Sequence, residues 1–112
     1  MPRLSIPKTL FGRRLREARL RAGIPQDKLG VMIGIDEGSS SARISRYETG
    51  THEPPFAIAE KIAHALGTPV AYFYCADDDL AAIIERYAVF SSADKIALIT
   101  FVSKIDTATI IR

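Results

Sequence analysis

Apolar residues recur along this chain at helical spacing, and glycine, proline or a capping residue interrupts each run. Between Thr9 and Ala22 the apolar positions Phe11, Leu15, Ala18 and Ala22 repeat every three or four residues, with arginines between them and Gly23 behind. That pattern predicts an amphipathic helix ended by its glycine. A second helix follows from Pro25 and Gln26 to Gly34, with Leu29, Met32 and Ile33 expected along one face. "SSSARISRYETG" reads as a third, with a serine N-cap, Ile44 and Tyr47 three apart on one face, and a stop at Gly50. Past the prolines of "THEPP", Ile58, Ile62, Ala65 and Leu66 define a fourth helix that closes at Gly67. "TPVAYFYCA" predicts a short fifth helix anchored inward by Phe73. After the acidic "DDD", one helix carries Leu80, Ile83, Ile84 and Tyr87, and a second, capped by "SSADK", carries Leu98, Phe101, Val102 and Ile105. No strand-like alternation appears, so the expected class is all-α: five helices in a compact domain, then a helical hairpin.

The 112 residues suffice for one compact domain with an appendage. The expected divisions are an N-terminal arm, 1–8, a domain, 9–75, and the hairpin, 76–112. No apolar run reaches the length of a membrane span, and Pro2 and Pro7 interrupt any secretory signal, so a cytoplasmic protein without a membrane partner is expected. The lone Cys75 has no partner for an internal disulfide and no metal-ligand spacing around it, which predicts a buried, reduced thiol. Neither a metal nor a cofactor is expected. Catalysis lacks materials too: there is no phosphate-cradling glycine loop, and the two histidines have no nucleophile and acid placed beside them.

Charge sharpens this picture. Residues 1–30 hold eight basic side chains against Glu17 and Asp27, whereas the rest of the chain is net acidic. An anionic partner, nucleic acid or a membrane surface, is therefore expected at the amino-terminal part, unless the arginines only solvate a helix face.

Two short helices around a glycine turn suggest a helix-turn-helix. At these residues the chain resembles a known family: "LREARLRAGIPQDKLG", "ISRYETGTHEPP" and "AEKIAHALGTPVAYFY" are similar to the Cro and lambda-repressor type, or XRE family, across about residues 10–75. The resemblance implies a DNA-binding transcriptional regulator, with double-stranded DNA as partner and the third helix in the major groove. Ile44 and Tyr47 then face the core, and Ser41, Ala42, Arg43, Ser45 and Arg46 become candidate base contacts. Arginine bonds guanine bidentately, serine bonds several bases, and alanine touches a thymine methyl. Arg46 is the first candidate and Arg43 the second, a plain phosphate contact being the alternative for each.

Gln26 matches the family's phosphate-holding position at a helix N-terminus and is a candidate phosphate contact, a capping or surface glutamine being the alternative. Ser40, Thr49, Thr51 and His52 are the other candidate phosphate contacts. The resemblance also implies a structural ion pair between Arg19 and Glu48.

The turn departs from the family: ten steps separate Gly34 from Ile44, about four more than usual. Either "IDEGS" forms a longer loop or the serines add a turn to the third helix. Asp36 and Glu37 favour the loop, since carboxylates in the groove oppose phosphates, and Gly38 is then expected in a conformation other residues avoid.

The hairpin and the end "TATIIR" are more apolar than packing on a small domain requires, which predicts a homodimer, unless the hairpin folds back to complete the monomer core. An effector pocket among Tyr72, Phe73, Tyr74 and Tyr87 is an open alternative to core packing. Repression by occluding a promoter is the expected mode. An antitoxin that also caps a protein partner with the hairpin, or an interaction module that reads no DNA, are the alternatives.

Overall fold

The computed structural model describes residues 6–105, so most of the N-terminal arm and the segment "TATIIR" lie outside the described residues. Six α-helices and one 3-10 turn follow in order: α1 (Leu10–Ala22), α2 (Gln26–Met32), α3 (Glu37–Thr49), α4 (Phe56–Leu66), the 3-10 turn (Val70–Tyr74), α5 (Asp78–Tyr87) and α6 (Ser92–Ser103). Local chemistry sets the boundaries. Thr9 caps α1 by accepting the Gly12 N–H at 3.0 Å, and Ser91 with Asp94 forms a reciprocal capping box on α6. Helices α1, α3 and α4 each end on a glycine in the left-handed region. The expected fifth helix is a 3-10 turn: Pro69 opens it, and its short length suits that tighter winding.

One core joins α1–α4 and the 3-10 turn. Leu15, Leu29, Ile44, Ala59, Ile62 and Phe73 are fully buried, ringed by Phe11, Ala18, Ile33, Tyr47 and Tyr72. Met32 does not share the inner face expected of it; α2 ends there, and the side chain is half exposed while Leu29 and Ile33 point inward.

The third helix differs most from expectation. It begins at Glu37, with Asp36 rather than a serine at the N-cap, so the additional residues form a helical turn and not a loop. Gly38 accordingly lies within the helix and has no positive φ. Packing explains the choice. Ser40 is fully buried against α2, where its Oγ donates to the Asp27 carbonyl, and a Cβ at position 30 would fall on the Ser40 side chain. Gly30 is thus required for close approach of the two helices, and the additional turn runs along α2.

Beyond the core, α5 contributes Ala81 as its one buried residue, and Ile84 packs against the core's edge. Helix α6 buries none. Leu98 borders an open cavity together with Ala82, Ile83, Arg86 and Phe90, and the Lys95 ammonium sits 4.9 Å from the Tyr87 ring centroid, so the two helices form an open pair. Cys75 is only partly buried, its Sγ 3.4 Å from the Asp77 carbonyl. Its expected burial is therefore incomplete. The four aromatics considered for a pocket are divided: Tyr72 and Phe73 are core, Tyr74 stacks between Phe11 and Phe56 at the surface, and Tyr87 packs on Phe90. Burial raises the Tyr74 hydroxyl above its ordinary range, and the nearby Glu53 charge adds to this.

Candidate nucleic-acid interface

Helix α3 has two chemically distinct sides. Ser40, Ile44, Tyr47 and Glu48 lie on the buried side, spaced four, three and one residues apart. The exposed side carries Ser39, Ala42, Arg43 and Arg46, with Ser45 partly covered at its margin. Among the described residues neither Arg43 nor Arg46 makes a side-chain hydrogen bond or ion pair, so both guanidiniums are available to an external acceptor. Ser39 is not among the candidate contacts read from the sequence, where the stretch before Ala42 stays open between a longer loop and an added helical turn, with the loop favoured. A helical pattern extended to Glu37 puts it on the same stripe as Ala42 and Arg46.

The one carboxylate in the second half of α3 is turned away from this surface. Glu48 is fully buried, and four donors hold it. Arg19 approaches side-on, with Nε on Oε2 and Nη2 on Oε1 at 3.2 Å, while Arg16 Nε and Gln26 Nε2 reach Oε1 at 3.2 and 3.1 Å. Arg19 also donates Nη1 to the Ile24 carbonyl at 3.1 Å, which ties the turn after α1 to the same cluster. Such a bidentate pair with its remaining lone pairs satisfied suits an interior site. Arg16, three residues from Arg19 on one face of α1, was the partner missed in the sequence; that spacing was its signal.

Gln26 therefore faces inward as well as outward: its amide donates to Glu48, and its Oε1 accepts from Ser41 Oγ at 3.4 Å. Ser41 is exposed but leans to the α2 side of α3. Ser40, expected near a phosphate, is instead sealed between α2 and α3 and has no route to DNA. At the other end of α3, the Arg46 carbonyl accepts the Gly50 and His52 N–H groups, both at 3.2 Å, and Thr49 and Thr51 hydroxyls sit 3.0 Å apart at the surface. The His52 side chain is exposed. Lys8 N–H donates to the Thr49 carbonyl at 3.2 Å, so the chain enters the domain beside this end of α3.

A short helix, a glycine turn and a second helix with an exposed basic face, braced from behind by α1, make up a helix-turn-helix architecture. A helix-turn-helix family model matches residues 15–73, more than half of the chain, and the chain belongs to this family. HTH-type transcriptional regulators of Sinorhizobium medicae and Rhizobium meliloti are each 33% identical over 63 residues, 56% of this chain. The chain spans 42% of the length of these curated relatives. Its fold is that of a transcriptional regulator: the crystal structure of the regulator BswR superposes with a TM-score of 0.82 at 39% identity, over 88% of this chain and 96% of that one. No helix among the described residues is long and apolar enough to cross a membrane.

Proposed function

We propose that the protein is a sequence-specific, dimeric DNA-binding regulator that represses by occupying a promoter. The observation that carries this reading is the outer face of α3, where Arg43 and Arg46 are exposed beside Ser39, Ala42 and Ser45 while Glu48 is buried and bonded to arginines. Small side chains allow the helix to approach base edges, and the arginines supply bidentate donors to guanine. Arg46 is assigned to base readout. Arg43 contacts a base or the adjacent backbone. Thr49, Thr51, His52 and the start of α2 at Gln26 line the phosphates on either side.

Dimerisation is supported by α6. Ile96, Ile99, Phe101 and Val102 are 65%, 58%, 66% and 55% exposed, and a helix apolar on several faces finds its cover in another molecule. A second copy is the occupant that a helix-turn-helix calls for, since two heads read half-sites about 34–36 Å apart. Two heads seated in successive grooves occupy DNA that a polymerase must contact, which is the basis for repression.

The test is selection of bound sequences from a random double-stranded pool at physiological salt, with Arg46→Ala in parallel. A two-fold motif that loses one base preference in the variant supports the reading. Weak, salt-erased binding with no motif sinks it and favours an interaction module or antitoxin.

A further inference from the structure

Helix α1 carries arginines on two sides, and each side grips a different part of the molecule. Arg16 and Arg19 hold Glu48 of the reading helix. The opposite side, built from Arg14 and Arg21 with Arg13 at its edge, holds the start of the C-terminal pair. Arg14 is buried, its side chain 4% exposed. Its Nε and Nη2 donate to the Cys75 carbonyl at 3.1 and 2.8 Å, Nη2 also reaches Asp78 Oδ1 at 2.9 Å, and Nη1 lies 3.4 Å from Glu17 Oε1. Tyr72 completes the cluster: its hydroxyl donates to Glu17 at 3.2 Å, and the Arg14 and Arg21 guanidiniums lie 5.3 and 5.4 Å from its ring centroid. Arg21 pairs with Glu85, and Arg13 reaches Asp78 at 3.4 Å.

The register of these bridges matters. Arg14 and Arg21 are seven residues apart on α1, and their partners Asp78 and Glu85 are seven apart on α5. The two bridges therefore join α1 and α5 in the same chain order, at two points about 10 Å apart along each helix axis. A single bridge is a pivot, whereas two at matched spacing fix an angle. Apolar packing adds little here, since α5 buries only Ala81.

We propose that Arg14 and Arg21, through Asp78 and Glu85, set the angle between α3 and the α5–α6 arm and so select the spacing between the two half-sites that a dimer accepts. They act as positioning residues for specificity and touch no DNA. This inference rests on the dimeric reading above.

The experiment compares the wild-type chain with the double variant Asp78→Asn/Glu85→Gln. Asp78 is the exposed partner of buried Arg14, Arg21 and Glu85 are both partly exposed, and Arg14 keeps its bonds to the Cys75 carbonyl and to Glu17 in the variant, so the fold is expected to be retained. Each protein selects from a pool of random DNA, and the distribution of half-site spacings is read out with oligomeric state by sedimentation and melting temperature. The wild type is expected to enrich one spacing. The variant, still dimeric and with the same half-site sequence, is expected to spread over several, with at least a tenfold loss of preference for the best over its neighbour. If the variant keeps the wild-type spacing, or binds every spacing equally more weakly, the bridges are structural only and the proposal is overturned. Enrichment of single, unpaired half-sites by a monomeric wild type would overturn the dimeric reading itself, and this proposal with it.

Discussion

Arg46 and Glu48 stand two residues apart on one helix and have opposite fates, one at the surface and one sealed inside. Replacing Arg46 with alanine is expected to cost about 1–3 kcal/mol on the cognate site and to relax preference at one base position, measured by competition binding against single-base variants. Arg19→Met acts on the other residue. Arg16 and Gln26 still reach Glu48 in that variant, so the expected loss is about 3 kcal/mol, the low end for a broken buried pair, by urea denaturation. Asp78 supplies a pH signature. The hydrogen bond from Arg14, aided by Arg13, holds its carboxyl below the ordinary range, whereas burial of Arg14 opposes a charged guanidinium and Asp78, Tyr72 and Glu17 outweigh that. A lowered carboxyl pKa stabilises the fold above the unfolded-state value and ceases to do so as pH falls through the folded-state value. The melting-temperature difference between wild type and Asp78→Asn is therefore expected to stay constant from about pH 7 to 5 and to close below about pH 4. Glu48 stood out in the sequence because a carboxylate on a helix expected to face DNA demands an explanation, and the family resemblance supplied Arg19 as its partner. Arg14 did not stand out, since one arginine among five on α1 carries no local sign that it will be buried by residues sixty positions away.

Helix α3 shows where local signals and packing part. The serines before Ala42 are ordinary cap formers, and Asp36 and Glu37 were weighed against the groove they would meet. The same carboxylates favour a helix N-terminus, where they complement exposed N–H groups. What decides between the two is a contact thirteen residues away in sequence, Ser40 against α2, and no periodicity encodes it. The position of Gly30 is the trace this contact leaves in the sequence. Gly30→Ala is expected to destabilise the domain by about 1–3 kcal/mol in denaturant titration, although alanine is the better helix former, because its methyl group collides with Ser40. Helices α1, α4, α5 and α6 were legible from spacing and punctuation, whereas the fifth helix expected is a 3-10 turn and Met32 lies off the face expected of it. The glycine stops of α1 and α4 and the side-chain caps of α1, α5 and α6 are local chemistry, which acts the same way in any context.

At the scale of the molecule, the helix-turn-helix head and the α5–α6 arm extend over 53 Å. Charging the arm's exposed face, with Ile99→Asp and Phe101→Asp together, is expected to give a monomer in sedimentation whose head melts as before. Its affinity for a paired site should fall by about 10²–10⁴, the contribution of joining two heads. The apolar run of α6 was plain in the sequence, but its direction was not, because a helix with apolar residues on several faces does not say which of them its own chain will cover. The two-sided arginine face of α1 has a further consequence for anyone who would recombine such proteins. A join made at residue 76 separates Arg14 and Arg21 from Asp78 and Glu85, whereas a join at the turn after Tyr87 carries both bridges along with the head. The natural seam for exchanging parts therefore lies after α5, one helix later than the acidic boundary in the sequence suggests, and a foreign oligomerisation helix grafted there would inherit the head's geometry.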